Sequence, residues 1–242
     1  MKILAIESSG NVASAAIAGE DKILAEYTVN IGKTHSQTLL PMIDRILSDA
    51  EMSVNELDAI AVSRGPGSFT GLRIGSATAK GLAAAAGIPI VDVPTLEALA
   101  VGVGNAGGRL ICPVIDARRN EVYSALFEEE DKGSGKGAVR MIGEERALGM
   151  EALLSELEAM DREIIFTGDA LRVHADKIKA AGNGKFMLAP LSSRDLRAGC
   201  VATIGLYMLE SGKAVEGSDH TPVYLRLSSA ERERLEQGKT LG

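Results

Sequence analysis

The sequence has no tryptophan and only four phenylalanines and four tyrosines in 242 residues, so aromatics make up 3% of it. Single-stranded nucleic acid is held by aromatic platforms along a basic groove, and neither ingredient is present: 33 Asp and Glu outnumber 26 Lys and Arg, for a net charge of −7. The deficit is spread, with 7 basic against 11 acidic residues through Ala106 and 19 against 22 beyond it, so neither half offers the clustered cations that phosphate binding needs. Cys112 and Cys200 form no C-x-x-C pair, which argues against a disulfide framework and a zinc knuckle and for two buried thiols in a reducing compartment. No apolar run nears the roughly 18 residues of a membrane span. Met1–Ile6 meets Glu7 before reaching the roughly 7 to 15 apolar residues of a signal peptide, so a soluble cytoplasmic protein is expected. His35, His174 and His220 have no partner at metal-ligand spacing, and no G-x-S-x-G elbow marks a hydrolytic serine.

What is present is an order of elements that occurs twice. Strands are expected at Lys2–Glu7, Ala13–Ala18 and Ile23–Val29. A helix is expected from His35 to Ala50, with Leu39, Leu40, Ile43, Ile46 and Leu47 spaced by threes and fours and Pro41 in its early turns. A strand at Ala59–Ser63, a helix from Ser68 to Ala86 stopped by Gly87, and a strand at Ile88–Val93 complete the unit. From Arg109 the order restarts, with strands Leu110–Asp116, Glu121–Glu128 and Val139–Glu144, helix Met150–Met160, strand Ile164–Thr167, helix Asp169–Ala181 and a short strand Phe186–Ala189. A long helix from Ser192 to Ser211 closes the chain, with Ser192 and Asp195 set like a capping box. The charged, Gly-rich tip Glu128–Gly137 is expected to be mobile. Two β-β-β-α-β-α units imply an α/β fold of two domains, 1–106 and 107–242, around a cleft, the closing helix packing back on the first. The order resembles that of the actin, hexokinase and Hsp70 (ASKHA) superfamily, which implies ATP lying between two strand-to-turn phosphate loops.

Glycines carry the motifs. Gly102, Gly104 and Gly107 spell G-x-G-x-x-G, but they follow a helical stretch, Thr95–Val101, and precede a strand, so they read as a flexible linker and not a dinucleotide fingerprint. Gly65-Pro66-Gly67-Ser68-Phe69-Thr70-Gly71 does sit between strand and helix, where backbone N–H groups can face an anion. It lacks the Lys of a phosphate loop, and a tight turn with Ser68 as N-cap is the favoured reading. In the helix that follows, Gly71, Gly75, Ala79 and Ala83 make one face nearly smooth. A helix-interior Gly costs about 1 kcal/mol against Ala, so another backbone must come close, from the chain's own sheet or from a second chain. The first strand of each unit ends in an acid, Glu7 and Asp116. Ser9 and Arg118 stand where a superfamily ATPase would have Gly, so a reduced or lost ATPase is expected.

Ile3-Leu4-Ala5-Ile6-Glu7-Ser8-Ser9, Thr34-His35-Ser36, the block Ser63–Gly75, Asp116–Tyr123 and Pro222-Val223-Tyr224-Leu225-Arg226 together resemble the TsaB (YeaZ) family, with Glu7 replacing the family's usual Asp. The resemblance implies a non-catalytic, activating subunit for N6-threonylcarbamoyladenosine (t6A) at position 37 of tRNAs reading ANN codons. It would work as a heterodimer with the catalytic subunit TsaD, meet TsaE through that assembly, form a homodimer when alone, and bind neither tRNA directly nor a membrane. Thr95 and Leu99 stand where TsaD carries its two metal-binding His, so no catalytic residue and no metal are implied. The implied partner interface is His35, Leu39, Leu40, Ile43, Leu47, Phe69, Leu72, Arg73, Gly75 and Thr78. Glu7, Ser8, Asp116, Arg118, Gly168 and Asp169 would outline a vestigial nucleotide cleft, with no cofactor beyond weak ATP or ADP binding. The alternative is an ATP-dependent small-molecule kinase of the same superfamily. A peptidase, a name attached to relatives, finds no nucleophile and base pair to support it.

Overall fold

The computed structural model describes residues 1–130 and 139–226, so most of the Glu128–Gly137 tip lies outside the described residues. The first half contains β1 (Lys2–Glu7), β2 (Ala13–Gly19), β3 (Ile23–Val29), α1 (His35–Asp49), β4 (Ala59–Gly65), α2 (Phe69–Ala86), β5 (Ile90–Pro94) and α3 (Thr95–Val101). The second half repeats this order as β6 (Leu110–Arg118), β7 (Glu121–Glu129), β8 (Val139–Gly149), α4 (Met150–Ala159), β9 (Ile164–Thr167), α5 (Leu171–Ala180), β10 (Phe186–Leu188) and α6 (Ala198–Glu210), followed by a short β11 (Ala214–Val215). The two sheets have matching strand orders, β3-β2-β1-β4-β5 and β8-β7-β6-β9-β10. In each, the hairpin strands pair antiparallel and the strands reached through helices pair parallel. This is the duplicated α/β fold expected from the order of elements.

Alternation along the strands builds three cores, because successive side chains leave a strand on opposite faces. In β1, Leu4 and Ile6 pack with Leu39, Ile43 and Ile46 of α1, whereas Ile3 and Ala5 join Val201 and Ile204 of α6 on the other face. In β6, Leu110, Cys112 and Val114 meet α4 and α5, whereas Ile111 and Ile115 join the same central core as Leu96 and Leu99 of α3. Each such fully buried Leu or Ile stabilises the fold by about 1.5–3 kcal/mol relative to exposure. The chain also returns to its beginning, since β11 pairs with β5 at the edge of the first sheet.

Local signals mislead at a few points. The closing helix starts at Ala198 and not Ser192. Leu191–Ser193 form a short 3-10 turn, and Asp195 accepts two bonds from Arg172, at 2.7 and 2.8 Å, and one from Asn30 at 3.5 Å in place of capping Ser192. The helix is capped from afar: Ser14 Oγ accepts the Ala198 N–H at 3.0 Å and Glu26 Oε1 accepts that of Gly199 at 2.8 Å. Pro41 is the seventh residue of α1, on its exposed side, where the bond it cannot donate to Gln37 faces solvent. The Gly102–Gly107 connection is a linker tied at one side, Glu129 accepting the N–H groups of Ala106 at 2.7 Å and Gly108 at 3.4 Å. Cys112 is fully buried, which pushes its thiol up to about 12; Cys200 is only half-buried. No helix among the described residues is long and apolar enough to cross a membrane.

Candidate functional site

The turns after β1 and β6 face each other across a cleft of about 490 Å³, bordered also by the turn into α2, by Asp169 and by Tyr224–Arg226. The first turn is shut by its own neighbours. Glu7 is 1% exposed. Its Oε1 accepts the Ser9 N–H at 2.6 Å and the Ser9 hydroxyl at 2.5 Å, and its Oε2 accepts the Ser63 hydroxyl. Burial pushes this carboxyl above its ordinary range, with the serine bonds pulling back. The glycines of the α2 entry loop admit this same turn. A Cβ on Gly67 would stand 2.5 Å from the Ser9 carbonyl oxygen, one on Gly71 2.0 Å from that of Ser8, and one on Gly75 2.3 Å from Ser8 Oγ. Ser68 donates its N–H to the Ser9 carbonyl at 2.6 Å, and its hydroxyl caps α2 by accepting the Gly71 N–H at 3.2 Å. The tight-turn reading of the loop therefore holds. The smooth face lies on the chain's own sheet, so the glycine spacing is no argument for a second chain.

The second turn is open. Asp116 is exposed, and Arg118, Arg119 and Asn120 follow with φ of 64°, 58° and 62°, a left-handed run that L residues adopt at a cost. Arg118 donates its N–H to Asp116 Oδ1 at 2.7 Å. Asp169 Oδ1 accepts the Asp116 N–H at 3.0 Å, and its Oδ2 accepts Asn11 Nδ2 from across the cleft at 3.4 Å. Burial raises the Asp169 carboxyl, and the Asp116 charge adds to the effect. Gly168 has φ 111°, and a Cβ there would meet the Val114 carbonyl oxygen at 2.1 Å. Of the six residues expected to outline a nucleotide cleft, Asp116, Arg118 and Asp169 line this one, whereas Glu7 and Ser8 are buried behind the first turn and Gly168 packs against Val114; they do not form a metal–phosphate cradle. Both Glu7 oxygens are taken, the Gly67 approach is filled by Ser9, and no group of three or more His, Cys, Asp or Glu among the described residues is placed to hold a metal ion.

The ten residues expected at an interface divide. Leu39, Ile43, Leu47 and Leu72 are buried in the chain's own core and Gly75 is covered by Ser8, which corrects their place as surface contacts. Leu40 is 56% exposed, Arg73 is exposed, and His35, Phe69 and Thr78 are half-buried. His35 donates from Nε2 to the Gly10 carbonyl at 2.9 Å, which ties α1 to the first turn. Sequence reasoning gave no role to the strap Pro222–Arg226. Val223 donates its N–H to the Arg64 carbonyl at 2.6 Å, and Tyr224 packs on Phe69 with centroids 4.8 Å apart. Arg73 stacks over the Phe69 ring, 3.9 Å from its centroid, and donates from Nε to the Tyr224 hydroxyl at 3.4 Å. Arg226 donates to the Ala117 carbonyl at 3.1 Å and pairs with Glu121. The strap thus ties the two halves together. No local pattern reveals this, because each of its partners is more than 100 residues away in sequence.

Residues 22–188 match the family model described as TsaD: tRNA N6-adenosine threonylcarbamoyltransferase. The tRNA threonylcarbamoyladenosine biosynthesis protein TsaB of Bacillus subtilis is 32% identical over 99% of this chain and 100% of its own length. The Escherichia coli protein of that name is 32% identical over 93% of this chain and 95% of its own. A Pseudomonas aeruginosa crystal structure, described as an uncharacterized protein with similarity to peptidase YEAZ, superimposes with a TM-score of 0.78 at 28% identity, covering 93% of this chain and 99% of that one.

Proposed function

The chain belongs to the TsaB family, and on that premise we propose that it serves t6A formation in tRNA as a non-catalytic subunit acting through TsaD on tRNAs that read ANN codons. The observation that carries the reading is the state of the two positions where the catalytic relative holds its metal. Thr95 is fully buried and its hydroxyl accepts the Gly65 N–H at 3.1 Å, and Leu99 is 3% exposed in the central core. Neither side chain can polarise a reacting carbonyl through a metal. The closed turn around Glu7 supports the same reading, since it leaves nucleotide no more than weak binding in the cleft. The partner surface is the outer side of α1 and α2, where His35, Leu40, Phe69, Arg73 and Thr78 reach solvent; it serves TsaD in the heterodimer and a second copy in the homodimer, with TsaE joining the assembled pair.

A tRNA modification assay with this chain, TsaD, and the two together tests the proposal. Product is expected only where TsaD is present, and more of it with both. Turnover by the isolated chain, or no stimulation of TsaD, would sink it. Release of phosphate from ATP by the isolated chain at an ordinary enzyme rate of about 1–10³ per second would instead favour the small-molecule kinase.

A further inference from the structure

A second groove, of about 920 Å³, runs between α3 and α6 on one side and β8 on the other. Its rim holds Tyr207, 50% exposed, and Met141, 42% exposed. Large apolar side chains facing one another across an open groove are what a partner buries. The polar groups there are of one sign in excess. Among the described residues, Glu97, Glu144 and Glu145 line it with Arg64 and Arg140, and Arg140 is already ion-paired with Glu128. Glu97 and Glu145 are half-buried on opposite walls. Burial pushes both carboxyls above their ordinary range; Lys213 and Arg64 pull Glu97 back and Arg64 pulls Glu145 back, while Glu97 pushes Glu145 further. A cation entering between them would relieve that repulsion while making charge-assisted bonds away from bulk water.

We propose that this groove docks a segment of another protein that sets an Arg or Lys between Glu97 and Glu145 and lays an aliphatic or aromatic side chain over Tyr207 and Met141. Charge complementarity selects this occupant. A nucleic acid strand would bring phosphates to the glutamates. Residues 227–242 of the chain itself carry Arg232, Arg234 and Lys239 against Glu231, Glu233 and Glu236, so they offer no net positive charge. The proposal does not depend on the TsaD reading, since it concerns neither the cleft nor the outer side of α1 and α2.

Because the chain has no tryptophan, a short peptide of alternating Leu and Arg with one Trp reports its own binding by indole fluorescence. Titrated into the full chain, it should bind and should weaken about tenfold or more with Glu97→Gln/Glu145→Gln, the loss expected when charge-assisted bonds go. Tyr207→Ser should weaken it without any change in charge, and Glu151→Gln/Glu156→Gln, on α4 and outside the groove, should leave it within about twofold, as distant surface charges are screened. Thermal melts check that each variant is folded. Equal losses in the groove and α4 variants would mean attraction to an acidic surface alone and would overturn the proposal. So would unchanged binding in both groove variants, or displacement of the probe by a synthetic peptide of residues 227–242.

Discussion

The two turns that face each other over the cleft hold equivalent places in the repeat and have opposite characters. After β1, Glu7-Ser8-Ser9-Gly10 is buried, its carboxylate bonded by Ser9 and Ser63 and its backbone pressed into the glycines of α2. At the end of β6, Asp116 is exposed and Arg118, Arg119 and Asn120 are held in left-handed backbone. The helices behind the turns make the difference. α2 is 18 residues long and, with the loop that enters it, meets the first turn along Gly67, Gly71 and Gly75, whereas α5 is 10 residues long and the loop that enters it meets β6 at Val114, whose carbonyl accepts the Ala170 N–H at 3.3 Å. Duplication of strand order sets where a turn stands; the packing of the neighbouring helix sets what its side chains are free to do.

The hardest test of the closed turn is Gly71→Val. Its Cβ would collide with a backbone carbonyl that cannot swing aside, so stability should fall by about 3 kcal/mol, the upper end for overpacking, or about 6–12 °C in Tm. An unchanged melt would mean the turn is looser than the geometry says. Gly75→Leu meets a hydroxyl, which can rotate, so about 1–3 kcal/mol is expected. That loss should appear in the melt, with self-association measured by ultracentrifugation unchanged; a variant that dissociates more readily at constant Tm would move the inner face of α2 to an interface.

Glu7→Gln reads the electrostatics of the same turn. The folded state holds the Glu7 carboxyl above its ordinary range, so ionising it opposes folding. That contribution is harmless below the unfolded carboxylate range and grows as pH rises through the raised value. The Tm of Glu7→Gln should therefore gain on the wild type as pH climbs from acid to neutral, and a gap that stays constant with pH would contradict the assignment. The smallest effect on stability is expected in the open turn. Arg118→Gly exchanges left-handed strain for backbone entropy, opposing terms of about 1 kcal/mol each, so the melt should barely move. Calorimetry with ATP and Mg²⁺ should show tighter binding than the wild type; no change would assign the closure of the cleft to the first turn alone.

Local spacing by itself determines that there are two β-β-β-α-β-α units, and it places β1, β2 and β3 within a residue and Leu39, Ile43, Ile46 and Leu47 on the buried side of α1, because apolar alternation and three–four spacing record which face of each element is covered. That Glu7 and Asp116 border one cleft is implied by the family resemblance and not by spacing. Only the tertiary structure decides what fills the space around them. Gly71 and Gly75 are smooth in sequence whether they receive Ser8 or another chain, and Ser192 and Asp195 form a capping pattern until Arg172 claims the carboxylate and Ser14 and Glu26 cap α6 from more than 170 residues away. A glycine records that something approaches closely and a capping residue that a donor needs an acceptor; the identity of the neighbour is set by contacts between segments far apart in the chain, which no local pattern contains.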